Sequence, residues 1–257
     1  MLKKLFKTEK KTKVTKVHPY SLVSEIYSDL MDEVNYKRWA RYIYFLAKDK
    51  IKPDSDILEL ASGNCQLVSN LLHKNKNIIC TDLSKEMLSH STHSRKVVCS
   101  MVQLPFNKSF DLIFSTFDSL NYLLTTKKLL SLFYEVEKLL KTDGIFTFDV
   151  SLVKNSYIHQ KSSKKSGRTN NYKYRRQSIY DPDTSIHKNI FTITDKLGNV
   201  FTETHRQRIY DFETYFELID KSGLYVVNCY RTFTSKQGSA DSDRVQFIVK
   251  RKKNAIN

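Results

Sequence analysis

Apolar positions change their period along the chain. Leu22, Ile26, Leu30 and Val34 recur at helical spacing, and Trp39, Ile43 and Leu46 repeat the pattern one segment later. Two helices are therefore predicted within 18–50, and Pro53 breaks the chain after them. From residue 56, short apolar runs alternate with helical segments. Strands are predicted at 56–61 (DILELA), 77–82 (NIICTD), 96–101 (KVVCSM), 110–115 (FDLIFS) and 145–150 (IFTFDV). Helices are predicted at 64–74, at 84–91 with Ser84 as N-cap, and at 125–141. In the last of these Leu129, Leu132, Phe133, Val136 and Leu140 share one face, and TDG at 142–144 reads as a turn. Such alternation predicts an α/β fold: a doubly wound, mostly parallel sheet with helices on both faces.

Beyond residue 150 the pattern changes. Residues 151–170 are polar and basic and read as a loop. Three segments at 172–180, 187–195 and 200–210 then alternate with period two, predicting an antiparallel β insertion. A helix at 211–221 stops at Gly223, and LYVVNCYRTF and DRVQFIVKRK read as a terminal strand pair. The predicted organisation is a basic tail (1–17), N-terminal helices (18–50), a core (51–150), the basic loop with the β insertion (151–210), and a helix with two strands that complete the core (211–257).

Charge modifies this picture. The 257 residues carry a formal net charge of +16. Three runs account for all of it: 1–16 with seven Lys and one Glu, 161–176 with seven Lys or Arg and no acid, and KRKK at 250–253. The remaining body is close to neutral. Such runs can bind nucleic acid or an anionic membrane surface, but none interleaves aromatics regularly, and solvated appendages are the favoured reading. No apolar run approaches ~18 residues, which argues against a membrane-spanning helix. The N-terminus does not read as a secretory signal. The four cysteines show no CxxC pair and no metal-ligand spacing, so no metal is expected and a reducing cytoplasm is the expected location.

In doubly wound sheets, ligands bind at the carboxyl ends of strands near the point where strand order reverses. Three predicted strand ends therefore matter: 59–65 (ELASGNC), 82–88 (DLSKEML) and 99–101 (CSM). Asp82 follows the first turn by about 20 residues, where an acid can accept hydrogen bonds from both hydroxyls of a ribose. Met87 offers a flexible apolar surface for an adenine face.

These stretches resemble the class I S-adenosylmethionine-dependent methyltransferases. ILELASGNC has the shape of the family's first motif, and TDLSKEML is similar to its D-x-S-x-x-M-L second motif. SMVQLPF stands in place of its third, and FDLIFSTFDSLNYL resembles its fourth strand and the turn after it. The resemblance covers roughly residues 18–252. It implies a Rossmann-like, seven-stranded fold and S-adenosyl-L-methionine as cofactor.

The same resemblance implies roles. Glu59 would face the cofactor's amino group, with Ala61 and Gly63 at the close backbone approach. Asp82 would hold the ribose, while Leu83, Met87, Ser100 and Met101 would surround the adenine. Tyr27, Trp39 and Phe117 would cover the cofactor. Asn121 and Tyr122 would face the acceptor. No motif identifies a base; His205 and Arg208, at the end of the β insertion, are candidates for the acceptor site because the insertion can fold over it, with His205 and Tyr27 as candidate catalytic groups. Two departures stand out. Cys65 replaces the family's usual last glycine, which is expected to put a side chain at the cofactor approach. Ser100 replaces an aspartate that commonly accepts the adenine amino group, and a hydroxyl accepts more weakly. The function expected is methyl transfer to a small molecule. The alternatives are an RNA methyltransferase or a related binding protein with weakened or lost activity.

Overall fold

The apolar runs of the α/β body become the strands of one sheet. The computed structural model describes residues 14–71, 77–162 and 164–252. In chain order the elements are β1 (Val14–Val17), α1 (Val23–Leu30), α2 (Tyr36–Ala47), β2 (Ile57–Leu60), α3 (Gln66–Ser69), β3 (Ile78–Asp82), α4 (Lys85–Ser89) and β4 (Lys96–Val98). There follow β5 (Phe110–Ser115), α5 (Thr126–Leu139), β6 (Leu140–Ser151), α6 (Val153–Lys161), β7 (Lys164–Arg168), β8 (Tyr172–Asp181) and β9 (Ile186–Asp195). The chain continues through β10 (Val200–Arg208), α7 (Phe212–Lys221), β11 (Leu224–Arg231) and β12 (Arg244–Arg251). A one-turn 3-10 helix, Ser119–Tyr122, follows β5.

The larger sheet has seven strands in the order β11-β12-β6-β5-β2-β3-β4. Its pairs from β6 to β4 are parallel, and β12 is antiparallel to both neighbours. Strand order reverses between β2 and β5, which sets a ligand crevice at their carboxyl ends. Side-chain caps start three of the helices. Asn35 accepts the N–H of Arg38 (2.9 Å), Ser84 that of Met87 (3.1 Å) and Thr125 that of Lys128 (3.2 Å). One core cluster centres on Phe133, Phe146, Phe148, Tyr215 and Phe247, with Phe148 and Phe247 stacked at 5.1 Å. The other packs Trp39, Ile43 and Ala47 of α2 against Ile57, Val68 and Phe114.

The second sheet has the order β1-β10-β9-β8-β7. Four of its strands form the antiparallel meander, while β1 pairs parallel to β10. Three expectations are corrected here. The tail predicted over 1–17 ends in a strand at 14–17, and residues 1–13 lie outside the described ones. The loop predicted at 151–170 contains α6 and β7. Its helix was hidden because polar Asn155 and Ser156 are the buried residues of α6, which removes the apolar period. The turn predicted at 142–144 is an irregularity within β6, opposite Phe110–Leu112. Residues 72–74 of the predicted helix at 64–74, and Lys253 of the last basic run, lie outside the described residues.

The two N-terminal helices separate. α2 joins the main core, whereas α1 joins the second sheet through Val23, Ile26, Tyr174, Phe191 and Ile193. The second sheet and α1 thus form a roof over the crevice.

Candidate active site

A cavity of about 900 Å³ lies between the crevice and its roof. That volume is in the range of small-molecule pockets, ~300–1,000 Å³. Of the residues singled out in the sequence, it is lined by Tyr27, Trp39, Glu59, Ala61, Gly63, Asp82, Leu83, Met87, Ser100, Met101, Phe117, Tyr122 and His205.

The first turn is built on unusual backbone. Ala61, Gly63 and Cys65 all have positive φ, at 52°, 56° and 58°. A Cβ at Gly63 would stand 3.1 Å from Met87 Cε and 3.9 Å from the Tyr27 hydroxyl. Glycine therefore keeps the cavity wall open at that point. Across β5 the same feature recurs, with Phe117 at 61° and Asp118 at 49°. Left-handed non-glycine residues cost energy and concentrate at functional sites.

Asp82 ends β3 and ties two turns together. One carboxylate oxygen accepts the N–H of Gly63 and the other that of Ser84, each at 2.8 Å. Burial raises its pKa, and these N–H groups pull it back. Glu59 is 2% exposed, and burial pushes its carboxyl well above the usual range, with Cys65 and Asp82 adding to the effect. A cation beside it would restore its charge. Leu83 stands at the rim, 74% exposed. Ser100 bridges to Gln103, and its hydroxyl accepts the N–H of Val102 at 3.4 Å. Trp39 packs on Phe117 with centroids 4.8 Å apart.

Three expectations about side chains are corrected. Cys65 takes the left-handed conformation a glycine would take, but its thiol turns into the core beside Cys80 and does not line the cavity. Asn121 is fully buried away from the cavity. Its amide donates to the carbonyls of Arg208 (2.7 Å) and Ser151 (3.3 Å) and accepts the N–H of Ser151 (3.0 Å), so its polar atoms are committed to bracing the fold. Arg208 also lies outside the cavity lining, its guanidinium 5.6 Å over the Tyr210 ring.

The roof brings a network that the sequence did not reveal. His205 Nε2 lies 2.8 Å from a carboxylate oxygen of Glu203, and His205 Nδ1 lies 3.0 Å from the Tyr122 hydroxyl. The Tyr20 hydroxyl donates to that of Tyr122 at 3.0 Å. A carboxylate only accepts, so Nε2 carries the ring proton and Nδ1 accepts from Tyr122. Glu203 is completely buried and also accepts the N–H groups of Tyr20, Leu22 (2.9 Å) and Val23 (3.1 Å). The only sequence signal was the spacing of Glu203 and His205, two apart on one strand and thus on one face. Tyr20 carried none. Further along the cavity lie Asp118, His159, Arg176, His187 and Asn189. Asp118 and Asp149 share Arg244, and burial lifts Asp149 to about 6.

Comparisons with known proteins agree with this architecture. Residues 58–148 match the family described as a methyltransferase domain. The chain is 29% identical over 252 residues to YqeM of Bacillus subtilis (strain 168), whose name assigns it provisionally to the methyltransferases. That alignment covers 93% of this chain and 99% of YqeM. The crystal structure of an S-adenosylmethionine-dependent methyltransferase from Clostridium acetobutylicum ATCC 824 superposes with a TM-score of 0.75 at 24% identity. It covers 91% of this chain and 99% of that one. The sugar N-methyltransferase KedS8 from Streptoalloteichus sp. ATCC 53650 gives 0.67 at 13% identity, covering 88% and 91%. At these identities the structures establish the fold.

Proposed function

We propose that the chain is a class I S-adenosylmethionine-dependent methyltransferase and that it methylates a small-molecule acceptor held beneath α1 and the second sheet. One observation carries this reading: a single roofed cavity runs from Gly63 and Asp82 to Tyr122 and His205. Its volume suits a small acceptor. KedS8, named for a sugar substrate, has the same fold, which is compatible with the reading. No described helix is long and apolar enough to cross a membrane. Four free cysteines suit work in the cytoplasm.

The residues present fit the cofactor. Gly63 leaves the room that a side chain would fill, and Asp82 presents a carboxylate to the ribose hydroxyls. Met87, Leu83, Met101 and Ser100 suit the adenine, and Glu59 the amino group. When bound, S-adenosylmethionine supplies a methyl group already activated for displacement. The chain must then hold the acceptor atom ~3–3.5 Å from that carbon, in line and shielded from water. It must also take a proton if the acceptor carries one. Tyr122 Oη takes it as the Tyr122 hydroxyl proton passes to His205 Nδ1, and the resulting imidazolium faces Glu203. Burial pushes the phenols of Tyr27 and Tyr122 up alike, but Tyr122 can pass its proton to His205 Nδ1, whereas no such hydrogen bond to a base is found for Tyr27 among the described residues, so Tyr27 suits a cover and hydrogen-bond donor.

The test is S-adenosylhomocysteine release with a panel of small amines and alcohols and, separately, with RNA. Turnover with a small acceptor and none with RNA is expected. Turnover with RNA alone overturns the acceptor class, and no cofactor binding at millimolar concentration overturns the enzymatic reading.

A further inference from the structure

One end of the cavity holds a cation with no hydrogen bond or ion pair among the described residues. Arg176 lies on the inner face of β8 and lines the cavity. Its guanidinium makes no hydrogen bond and no ion pair among the described residues, and its Nε is buried without a partner. Two inward rows along the same face, opposite Tyr180, His187 is 4% exposed, lines the same cavity and has an unpartnered Nδ1. The ring of His159 lies 6.1 Å from that of His187. The acids around Arg176 are engaged elsewhere: Glu33, the carboxylate within its electrostatic reach, pairs with Lys165 at 3.6 Å, and Asp118 and Asp149 both pair with Arg244. A half-buried, unpaired guanidinium is costly, and its fork of donors matches two oxygens of a carboxylate or phosphate.

Register fixes where this end lies relative to His205. Arg176 pairs with Phe191, which pairs with Glu203, and the adjacent inward row is Ser178, Asn189 and His205. Arg176 and His205 thus sit two strands apart, roughly 10 Å across the sheet.

We propose that Arg176, with His187 and His159 lining the same end of the cavity, binds an oxyanion of the acceptor, a carboxylate or a phosphate, while His205 and Tyr122 face the atom to be methylated. This rests on the methyltransferase reading above and narrows its acceptor to small anionic molecules. The basic run at 161–176 therefore has two fates. Lys173 and Arg175 remain exposed, but Arg176, its last residue, turns inward.

The test uses the full chain saturated with S-adenosylhomocysteine, titrated calorimetrically with inorganic phosphate, acetate or neutral acetamide at constant ionic strength. Saturable binding of phosphate or acetate, and none of acetamide, is expected, and the tighter of the two anions identifies the group. Arg176→Gln should weaken that binding by about tenfold or more, as loss of a charge-assisted pair requires. Arg176→Lys should retain part of it. Arg175→Gln, an equal loss of charge on the outer face, should leave it unchanged. Binding of S-adenosylhomocysteine itself is measured first in every variant. Should it fail in the wild type, the methyltransferase reading falls. If it holds but neither anion binds, or R176Q binds as R175Q does, the oxyanion subsite is refuted and the methyltransferase reading stands.

Discussion

Glu203 and His205, two residues apart on β10, meet at 2.8 Å in a completely buried contact, and the same carboxylate gathers the N–H groups of Tyr20, Leu22 and Val23. One side chain thereby orients the imidazole over the cavity and fastens the N-terminal segment to the roof.

Glu203→Ala strands four donors in a dry interior. A loss of about 3–5 kcal/mol is expected, the range for breaking a buried charged contact. Urea denaturation measures it, and limited proteolysis should cut near residues 20–23 faster than in the wild type. Unchanged stability would show that the carboxylate does not hold the segment.

Asp82→Ala should weaken S-adenosylmethionine binding by tenfold or more, because a charge-assisted hydrogen bond of ~1.5–3 kcal/mol is lost. Calorimetry decides this. An affinity equal to the wild type's would mean that the ribose binds elsewhere.

Gly63 and Cys65 occupy the same turn but predict opposite outcomes. Gly63→Ala places a methyl 3.1 Å from Met87 Cε on backbone of φ +56°, and should reduce cofactor affinity along with a stability loss of about 1 kcal/mol or more. Cys65→Ala should leave that affinity within twofold, since the thiol faces the core. A cofactor defect in C65A as large as that in G63A would contradict the orientation of Cys65.

His187 carries a pH signature. Burial holds it down to about 4, helped by His159 and Arg176 and opposed by Asp118. In the unfolded chain it takes its proton near ~6.5. Between those values the unfolded state binds more protons, so this contribution to stability is complete above ~6.5 and lost as pH falls toward 4. His187→Gln removes it. The stability of the wild type relative to H187Q should therefore drop, on the order of 2 kcal/mol, from pH 7 to pH 4. Paired urea titrations read the difference, and a constant gap between the two proteins rules the effect out.

Local pattern determined much of this protein. Ile57, Leu58 and Leu60, or Leu129, Leu132 and Phe133, announce their strand and helix because apolar period reflects which face is buried. Asp82, Gly63 and Met87 were legible as residues of one wall because spacing along two successive strand–turn–helix units brings them together at the cavity. Tertiary structure decided the rest. Residues 14–17 form a strand only because β10 offers an edge, and α6 escaped notice because its inward residues are polar. Asn121 and Tyr122 are adjacent in sequence, yet one braces the fold and the other lines the cavity. The direction of the Cys65 thiol follows from a left-handed backbone that no local apolar pattern encodes. Arg176 looked like one more cation in a solvated run. Only the register of β8 against β9 and β10 turns it toward His205, because side chains on a strand alternate faces and pairing alone fixes which face is inside.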